Sequence, residues 1–177
     1  MNDLMTDFQM SAWTVTDGDL MLNSSGHRLN AHFERVLIEQ RRLSQSWAGA
    51  FLAALLIRHP WLDSVTLQFR VSFEYDDAGG SFRSFSAMVT DLHVVSGASF
   101  PQELTGDGQF DTDLAAAVIE ADIDAFEQEL YAALVEDDTN DDLAVVIARA
   151  SIAHLLGPLP LDGRQAYQAL LAHRTPG

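Results

Sequence analysis

The chain has 177 residues, 47% of them hydrophobic, and a formal net charge of −16 at pH 7. It contains neither cysteine nor lysine. This excludes disulfides, thiolate metal sites, Schiff-base chemistry and a phosphate-binding P-loop lysine. The negative charge disfavours direct binding to nucleic acid or to an anionic membrane, so we expect a basic protein partner.

Length and apolar content predict a single folded domain over residues 1–177, located in the cytoplasm. The first eight residues are acidic and lack the apolar run of a signal peptide. The longest apolar stretch, 47–57, is about half as long as a membrane span. Within residues 1–26, Asp17-Gly18 lies between short apolar runs, which indicates a small hairpin. A loosely ordered arm is the alternative for this segment.

A helix is predicted over residues 28–57 because apolar residues recur there every three or four positions. The predicted buried stripe consists of Phe33, Val36, Leu37, Leu43, Trp47, Ala50, Phe51, Ala54 and Leu55. From Trp47 onward the segment is apolar on nearly all sides, so this half should be central in the core. A break at Ser44–Ser46 would give two helices instead of one, and Pro60 prevents the helix from continuing.

Residues 65–75 alternate between apolar and polar without a miss, which predicts a strand of an antiparallel sheet with one buried face. Turn residues follow at 76–80, and 82–95 is the predicted partner strand. Its apolar phase changes between Val89 and Leu92. Either a bulge near Thr90 or burial on both faces would explain the change.

Three helices are predicted after a loop at 96–112. The first runs from Asp113 to about Val135, with Asp111 or Thr112 as its cap. The second is capped by Thr139 or Asn140 and carries Leu143, Val146, Ile147, Ala150 and His154 on one face. Asp162 begins the third, which makes contact through Tyr167, Leu170 and Leu171. The predicted fold class is therefore α+β, with an antiparallel β-hairpin or small sheet packed against a long central helix and three C-terminal helices.

Fourteen of the 26 acidic residues lie between Phe100 and Asp142, a stretch without Arg, Lys or His. Acidic residues in the loop and at helix starts have a local explanation. On the predicted helix, Glu120, Asp124 and Glu127 form an acidic ridge on one flank of the apolar stripe. The predicted partner-binding residues are Glu120, Asp122, Asp124, Glu127, Glu129, Glu136, Asp137 and Asp138, with Asp141 and Asp142 as an extension.

Three interpretations of this acidic stretch remain open: a solvated face, a mimic of nucleic-acid phosphates, and the binding face of a chaperone. Carboxylates one helical turn apart are spaced about 5–6 Å, close to the spacing of phosphates along a strand. The leading hypothesis is a non-enzymatic acidic binding or inhibitor protein that engages a basic partner and mimics nucleic-acid phosphates to block a nucleic-acid-binding protein. The alternative is a chaperone or immunity-type partner of one specific protein, and a small enzyme is third.

No catalytic residue, metal site or cofactor is predicted. The six histidines lack metal-binding spacing, and the Asp-rich loops place Thr112 or Asp142 where a calcium loop needs glycine. The mixed phase of 82–95 and the alanine-rich back of the predicted 113–135 helix suggest more apolar surface than one layer covers. A homodimer is therefore a further hypothesis.

Overall fold

The computed structural model describes residues 12–77, 79–106, 108–135, 140–157 and 160–171. The chain divides into two compact units, a first unit that ends at Leu43 and a second unit that begins at Ser44. Long helix, antiparallel sheets and C-terminal helices confirm the α+β class. The single domain expected from the sequence stays a prediction.

The first unit contains the predicted hairpin. Strands β1 (Trp13–Thr16) and β2 (Asp19–Leu22) pair in antiparallel fashion. Asp17 and Gly18 have φ values of 53° and 90°, as a two-residue turn of this hand requires. The hairpin is confirmed for the described residues, and residues 1–11 of the predicted arm lie outside them.

Helix α1 (Ser24–Arg58) follows the hairpin directly. The side chain of Asn23 caps it by accepting a hydrogen bond of 2.9 Å from the backbone N–H of Gly26. A Cβ atom at Gly26 would collide with the carbonyl of Ala12 and the side chain of Leu22. Glycine therefore lets the hairpin approach the first turn of the helix.

The helix is continuous, so the alternative of a break at Ser44–Ser46 is wrong. As predicted, it ends before Pro60. Its second half lies in the second unit, where Leu52, Leu55 and Leu56 are fully buried. The first half is different, because its four residues of the predicted buried stripe are exposed instead: Phe33, Val36, Leu37 and Leu43. In the second half, Ala50 and Ala54 of the predicted stripe are exposed as well.

The second unit is built on a three-stranded antiparallel sheet flanked by helices. Its remaining elements are β3 (Leu62–Tyr75), β4 (Ser81–Val94), β5 (Thr105–Gly106), β6 (Gln109–Phe110), α2 (Thr112–Ile123), α3 (Glu127–Leu134), β7 (Leu143–Ala148), α4 (Arg149–Ile152) and α5 (Gly163–Leu171). The sheet order is β4-β3-β7, and β5 pairs with β6 in a separate short ribbon. Strand β3 is central, so its apolar face supplies fully buried Leu62, Leu67 and Phe69 to the core.

The phase change in β4 is caused by a bulge at Thr90. Thr66 pairs with Asp91, but Leu67 pairs with Val89, which leaves Thr90 as the extra residue. Val89 and Leu92 on either side of the bulge both pack against the core. Because the bulge accounts for the phase, burial on both faces is not required, and this argument for a homodimer loses its basis.

The prediction of a helix beginning at residues 139–140 is wrong for residues 143–148, which form strand β7. These residues pair with β3 from Phe69↔Leu143 to Ser64↔Ala148. Val145 and Ile147 are buried, while Val146 between them is exposed. This segment is rich in β-branched residues, and pairing with β3 lets every second one be buried. These two effects favour a strand more than the three-and-four spacing of its apolar residues favours a helix. Only the one-turn helix α4 follows directly.

The predicted 113–135 helix is interrupted. A 3₁₀ turn at Asp124–Phe126 separates α2 from α3. At this turn the ring of Phe126 packs on Trp47 and Phe51, with centroid distances of 5.8 Å and 5.2 Å. The predicted cap is confirmed, because the carboxylate of Asp111 accepts hydrogen bonds from the first turn of α2.

The side chain of Arg149, at the end of β7, joins three backbone segments. Its Nε donates to the carbonyl of Leu62 at 2.8 Å, and its Nη2 donates to the carbonyls of His59, at 2.7 Å, and Leu56. The carbonyl of Leu56 belongs to the last turn of α1, where carbonyls have no partner within the helix. Arg149 thereby links the α1–β3 connection to the end of the edge strand β7. Among the described residues, no helix is long and apolar enough to cross a membrane.

Candidate interaction surfaces

Two residues of the acidic ridge bind the edge of the sheet. Glu120 accepts a hydrogen bond of 2.8 Å from the backbone N–H of Val89, and Glu127 accepts one of 2.7 Å from that of Ala87. Among the described strands, β4 lies at the edge of its sheet, so these outward N–H groups have no strand of the described chain to bond. The two carboxylates supply the hydrogen-bond acceptors that a neighbouring strand would otherwise provide. Their first role is therefore structural.

Burial raises the pKa of Glu127 above its usual value, and the neighbouring charge of Asp124 acts in the same direction. The hydrogen bond from Ala87 opposes both effects. The carboxylate is thus partly desolvated against the strand, which costs free energy while it is ionised.

Asp122 points to the end of α1. Its Oδ2 lies 2.7 Å from Nε2 of His59, and its Oδ1 lies 3.5 Å from Nη1 of Arg58. The His59 ring in turn packs edge-on against Trp61, with centroids 5.4 Å apart. Asp122 therefore links α2 to the last residues of α1. No group of three His, Cys, Asp or Glu residues that could hold a metal ion occurs in the described part of the chain.

Of the remaining predicted residues, Asp124 and Glu129 are exposed. Glu136, Asp137 and Asp138 lie outside the described residues. Asp142 extends the β3–β7 ladder by accepting a hydrogen bond of 3.3 Å from the backbone N–H of Val71. The structure thus brings Glu120 and Glu127 together along β4 and directs Asp122 elsewhere. Partner binding by these residues stays a prediction.

A wide, open depression lies beside α4 and α5, with a volume of about 570 Å³. It is lined by Ser151, His154, Leu155, Gln165, Gln168 and Ala169. Ser151 and His154 lie one helical turn apart but share no hydrogen bond, which a hydroxyl nucleophile and its base require.

Sequence reasoning missed two exposed apolar surfaces. The first is the exposed α1 row, which we define as Phe33, Val36, Leu37 and Leu43. The second is the open end of the β3–β4 hairpin, with Phe73, Tyr75 and Phe82. The apolar spacing was visible in both cases. What the spacing could not indicate is that the chain's own core ends before it reaches these residues.

Charge is divided unequally between the two units. Residues 1–43 contain six acidic residues and four arginines, a net charge of −2. Residues 44–177 contain 20 acidic residues and six arginines, a net charge of −14. Nearly all of the negative charge therefore belongs to the second unit.

The chain matches no protein-family model, no curated protein and no solved structure.

Proposed function

We propose that the chain is a non-enzymatic binding protein whose acidic second unit engages a basic protein partner. The observation that carries this proposal is the uncompensated charge of that unit, 20 acidic residues against six arginines. At least three of the arginines are used internally, since Arg58 lies beside Asp122, Arg149 binds backbone carbonyls and Arg83 donates to the side chain of Asn140. A surface with this imbalance attracts a basic protein over several ångströms and releases counterions on contact.

Within the acidic stretch, exposed carboxylates without intramolecular hydrogen bonds are the best candidates for contact. Asp113, Asp124 and Glu129 meet this description on and between α2 and α3. Glu120, Asp122 and Glu127 make intramolecular contacts. They therefore contribute to the negative electrostatic potential of the surface and do not bind the partner directly. The proposed partner is a nucleic-acid-binding protein, because a groove that accepts phosphates also accepts carboxylates at the same charge density.

The test is a pull-down with the immobilised full chain from a cell extract, washed with increasing salt. We expect basic proteins that elute between low and moderate salt and that are displaced by heparin, a polyanion that competes for phosphate-binding grooves. The double variant Asp124→Arg, Glu129→Arg should lose them. Its matched control is Asp63→Arg, Glu74→Arg, which makes the same charge change at exposed positions of β3.

The proposed surface would be contradicted if the Asp124/Glu129 variant still captured the basic proteins. It would also be contradicted if the Asp63/Glu74 control lost them to the same extent. If elution of the captured proteins did not depend on salt concentration, electrostatic binding of a basic partner would be contradicted.

A chaperone or immunity-type partner of one protein is the second candidate, and the open end of the β3–β4 hairpin favours it. Phe73, Tyr75 and Phe82 are exposed there on a ribbon that extends past β7. A client bound at this end would depend on apolar contact and tolerate salt. Phe73→Asp should then abolish capture, while the double charge reversal should leave it intact.

A further inference from the structure

The β3–β4 hairpin continues beyond the end of the neighbouring strand β7. The last pair between β3 and β7 joins Phe69 to Leu143, whereas β3 stays paired with β4 as far as Tyr75. Over residues 70–75, β3 therefore has no described strand on its β7 side. An uncovered strand edge presents backbone N–H and C=O groups that can pair with another strand.

The outward backbone groups of this edge belong to alternate residues. The N–H of Val71 points to the β7 side, where it donates to the side chain of Asp142 at 3.3 Å. Because outward and inward groups alternate along an antiparallel strand, those of Phe73 and Tyr75 point to the same side. No described residue accepts a hydrogen bond from the outward N–H of either one.

The chain that leads into β7 turns away from this edge. The carbonyl of Asp141 accepts a hydrogen bond of 2.7 Å from the hydroxyl of Tyr131. The side chain of Asn140 accepts one of 3.5 Å from Arg83. Tyr131 also packs on Phe85, with centroids 5.2 Å apart, so these contacts lie on the core-facing side of the hairpin. Residues 140 and 141 therefore leave the outer part of the β3 edge open.

The two edges of the hairpin differ in their protection. Nearer the core, two carboxylates accept the outward N–H groups of β4. Phe73 and Tyr75 have no comparable acceptor among the described residues, and their side chains are 54% and 79% exposed. Aromatic residues favour extended structure, so this stretch keeps the backbone geometry that an added strand requires.

We propose that the open β3 edge, residues 72–75, binds an extended segment of a partner protein as an added β-strand, and that this segment has the pattern apolar–basic–apolar. The inference rests on the second candidate function, a client held at this end of the hairpin, and gives it a binding mode. Backbone hydrogen bonds with Phe73 and Tyr75 supply affinity, and side chains at alternate positions supply specificity.

Side chains along the open β3 edge specify the pattern. Residues paired across two strands point to the same face, so partner residues opposite Phe73 and Tyr75 lie beside exposed aromatic rings. Glu74 between them is exposed and points to the other face. A basic residue opposite Glu74 forms a cross-strand ion pair within a unit of net charge −14. One exposed pair changes affinity by only about fivefold, so binding stays largely tolerant of salt.

Charge excludes a second copy of the chain as the occupant. Antiparallel pairing of two open β3 edges about a two-fold axis at residue 74 places the two copies of Glu74 opposite each other. Like charges directly opposite destabilise a strand pair. The second units, each with a net charge of −14, also repel one another. A basic segment meets neither obstacle.

Amide hydrogen exchange of the free full chain tests whether the edge is open. We expect the amides of Phe73 and Tyr75 to exchange at least about 100-fold faster than that of Phe69, whose strand is paired on both sides there. Comparable protection of all three amides would show that the edge is already paired, by another segment or by a copy, and would overturn the proposal.

The probe for strand addition is an acetylated and amidated heptapeptide with Val-Arg-Val at its centre, compared with one that has Val-Glu-Val. In an NMR titration of the full chain, we expect the first peptide to slow exchange of the amides of Phe73 and Tyr75. It should bind about tenfold more tightly than the second, because of the charge opposite Glu74. Equal binding of the two peptides, or no added protection with either, would overturn the proposal.

Proline variants separate backbone pairing from side-chain contact. Tyr75→Pro removes the outward N–H and should weaken binding of the Val-Arg-Val peptide about tenfold relative to Tyr75→Val, which keeps it. The matched control is Ser81→Pro, since Ser81 pairs with Tyr75 and its outward N–H lies on the opposite edge of the hairpin. It should leave peptide binding unchanged. Circular dichroism confirms that each variant is folded.

Equal peptide binding by Tyr75→Pro and Tyr75→Val would overturn strand addition and leave the second candidate with side-chain contact alone. Equal loss with Ser81→Pro would also overturn it. The second candidate fails by a separate result, which is capture of the client by Phe73→Asp.

Discussion

The two halves of α1 have the same apolar spacing and opposite environments. Leu52 and Leu55 in the second half are fully buried by the sheet and helices of the second unit. Phe33 and Leu43 in the first half are exposed on the same helix. Periodicity therefore specifies which face of a helix is apolar, but whether that face is covered depends on what the rest of the chain places beside it.

The two units also differ in charge, and the difference bears on the proposed function. A net charge of −14 favours the proposed basic partner for the second unit, whereas the first unit, at −2, contributes little to that attraction. In the second unit, some of that charge is part of the fold, as the carboxylates along β4 demonstrate.

The largest expected loss is at Arg149, the side chain that ties the end of α1 to the sheet. Arg149→Met keeps the apolar stem but leaves the carbonyls of Leu56, His59 and Leu62 without their charged donor. We expect the free energy of unfolding to fall by about 3–5 kcal/mol, measured by urea denaturation. Arg164→Met, at an exposed arginine of α5, should change it by less than about 0.5 kcal/mol. If the two variants lowered the free energy of unfolding to a similar extent, the proposed stabilising role of the Arg149 hydrogen bonds would be refuted.

The contrast between the halves of α1 can be measured with two truncations. Leu52→Ala should lower the free energy of unfolding by about 3 kcal/mol, because it opens a cavity at a fully buried site. Ile38→Ala, at an exposed site of the other half, should change it by no more than about 0.5 kcal/mol. A large loss at Ile38 would mean that this side of the first half is packed as well.

Removing a carboxylate from the β4 edge should have a smaller effect. Glu120→Ala leaves the N–H of Val89 without its acceptor, and we expect a loss of about 1–2 kcal/mol in urea denaturation. The unprotected edge should also aggregate more readily on heating, as measured by light scattering. Glu129→Ala, an exposed glutamate of the neighbouring α3, is the control. If Glu129→Ala lowered the free energy of unfolding as much as Glu120→Ala, loss of the hydrogen bond to the β4 edge would not explain the effect.

The smallest expected effect concerns pH. Because the pKa of Glu127 is raised in the folded state, the folded chain binds this proton more tightly than the unfolded chain, whose value is near 4.5. Its unfavourable contribution is complete above the folded pKa and disappears as the pH falls toward 4.5. The stability of the native chain relative to Glu127→Gln should therefore increase as the pH falls from 7 to below 4.5. Denaturation curves across this range that gave a constant difference would contradict the raised pKa.

The sequence by itself determined the elements whose signals are local. Asp17-Gly18 specified the first hairpin because its turn needs two residues that tolerate positive φ. Strict alternation over 65–75 specified β3. The phase change in 82–95 indicated either a bulge near Thr90 or burial on both faces, and the strand register decided for the bulge. Asp111 capped its helix, and Pro60 prevented α1 from continuing.

Tertiary structure decided what local spacing left ambiguous. Residues 143–148 satisfy both a helical and an extended pattern, and the open edge of β3 selected the strand. The helix over 113–135 divided at Asp124–Phe126, where an aromatic contact with Trp47 and Phe51 is made.

The acidic ridge is the clearest case of this kind. Residue types and spacing gave the charge, but only the fold revealed that Glu120 and Glu127 face unpaired N–H groups of an edge strand. A carboxylate looks the same in a sequence whether it meets water, a partner or a backbone donor. Its role depends on the desolvation and hydrogen bonding that neighbouring elements impose.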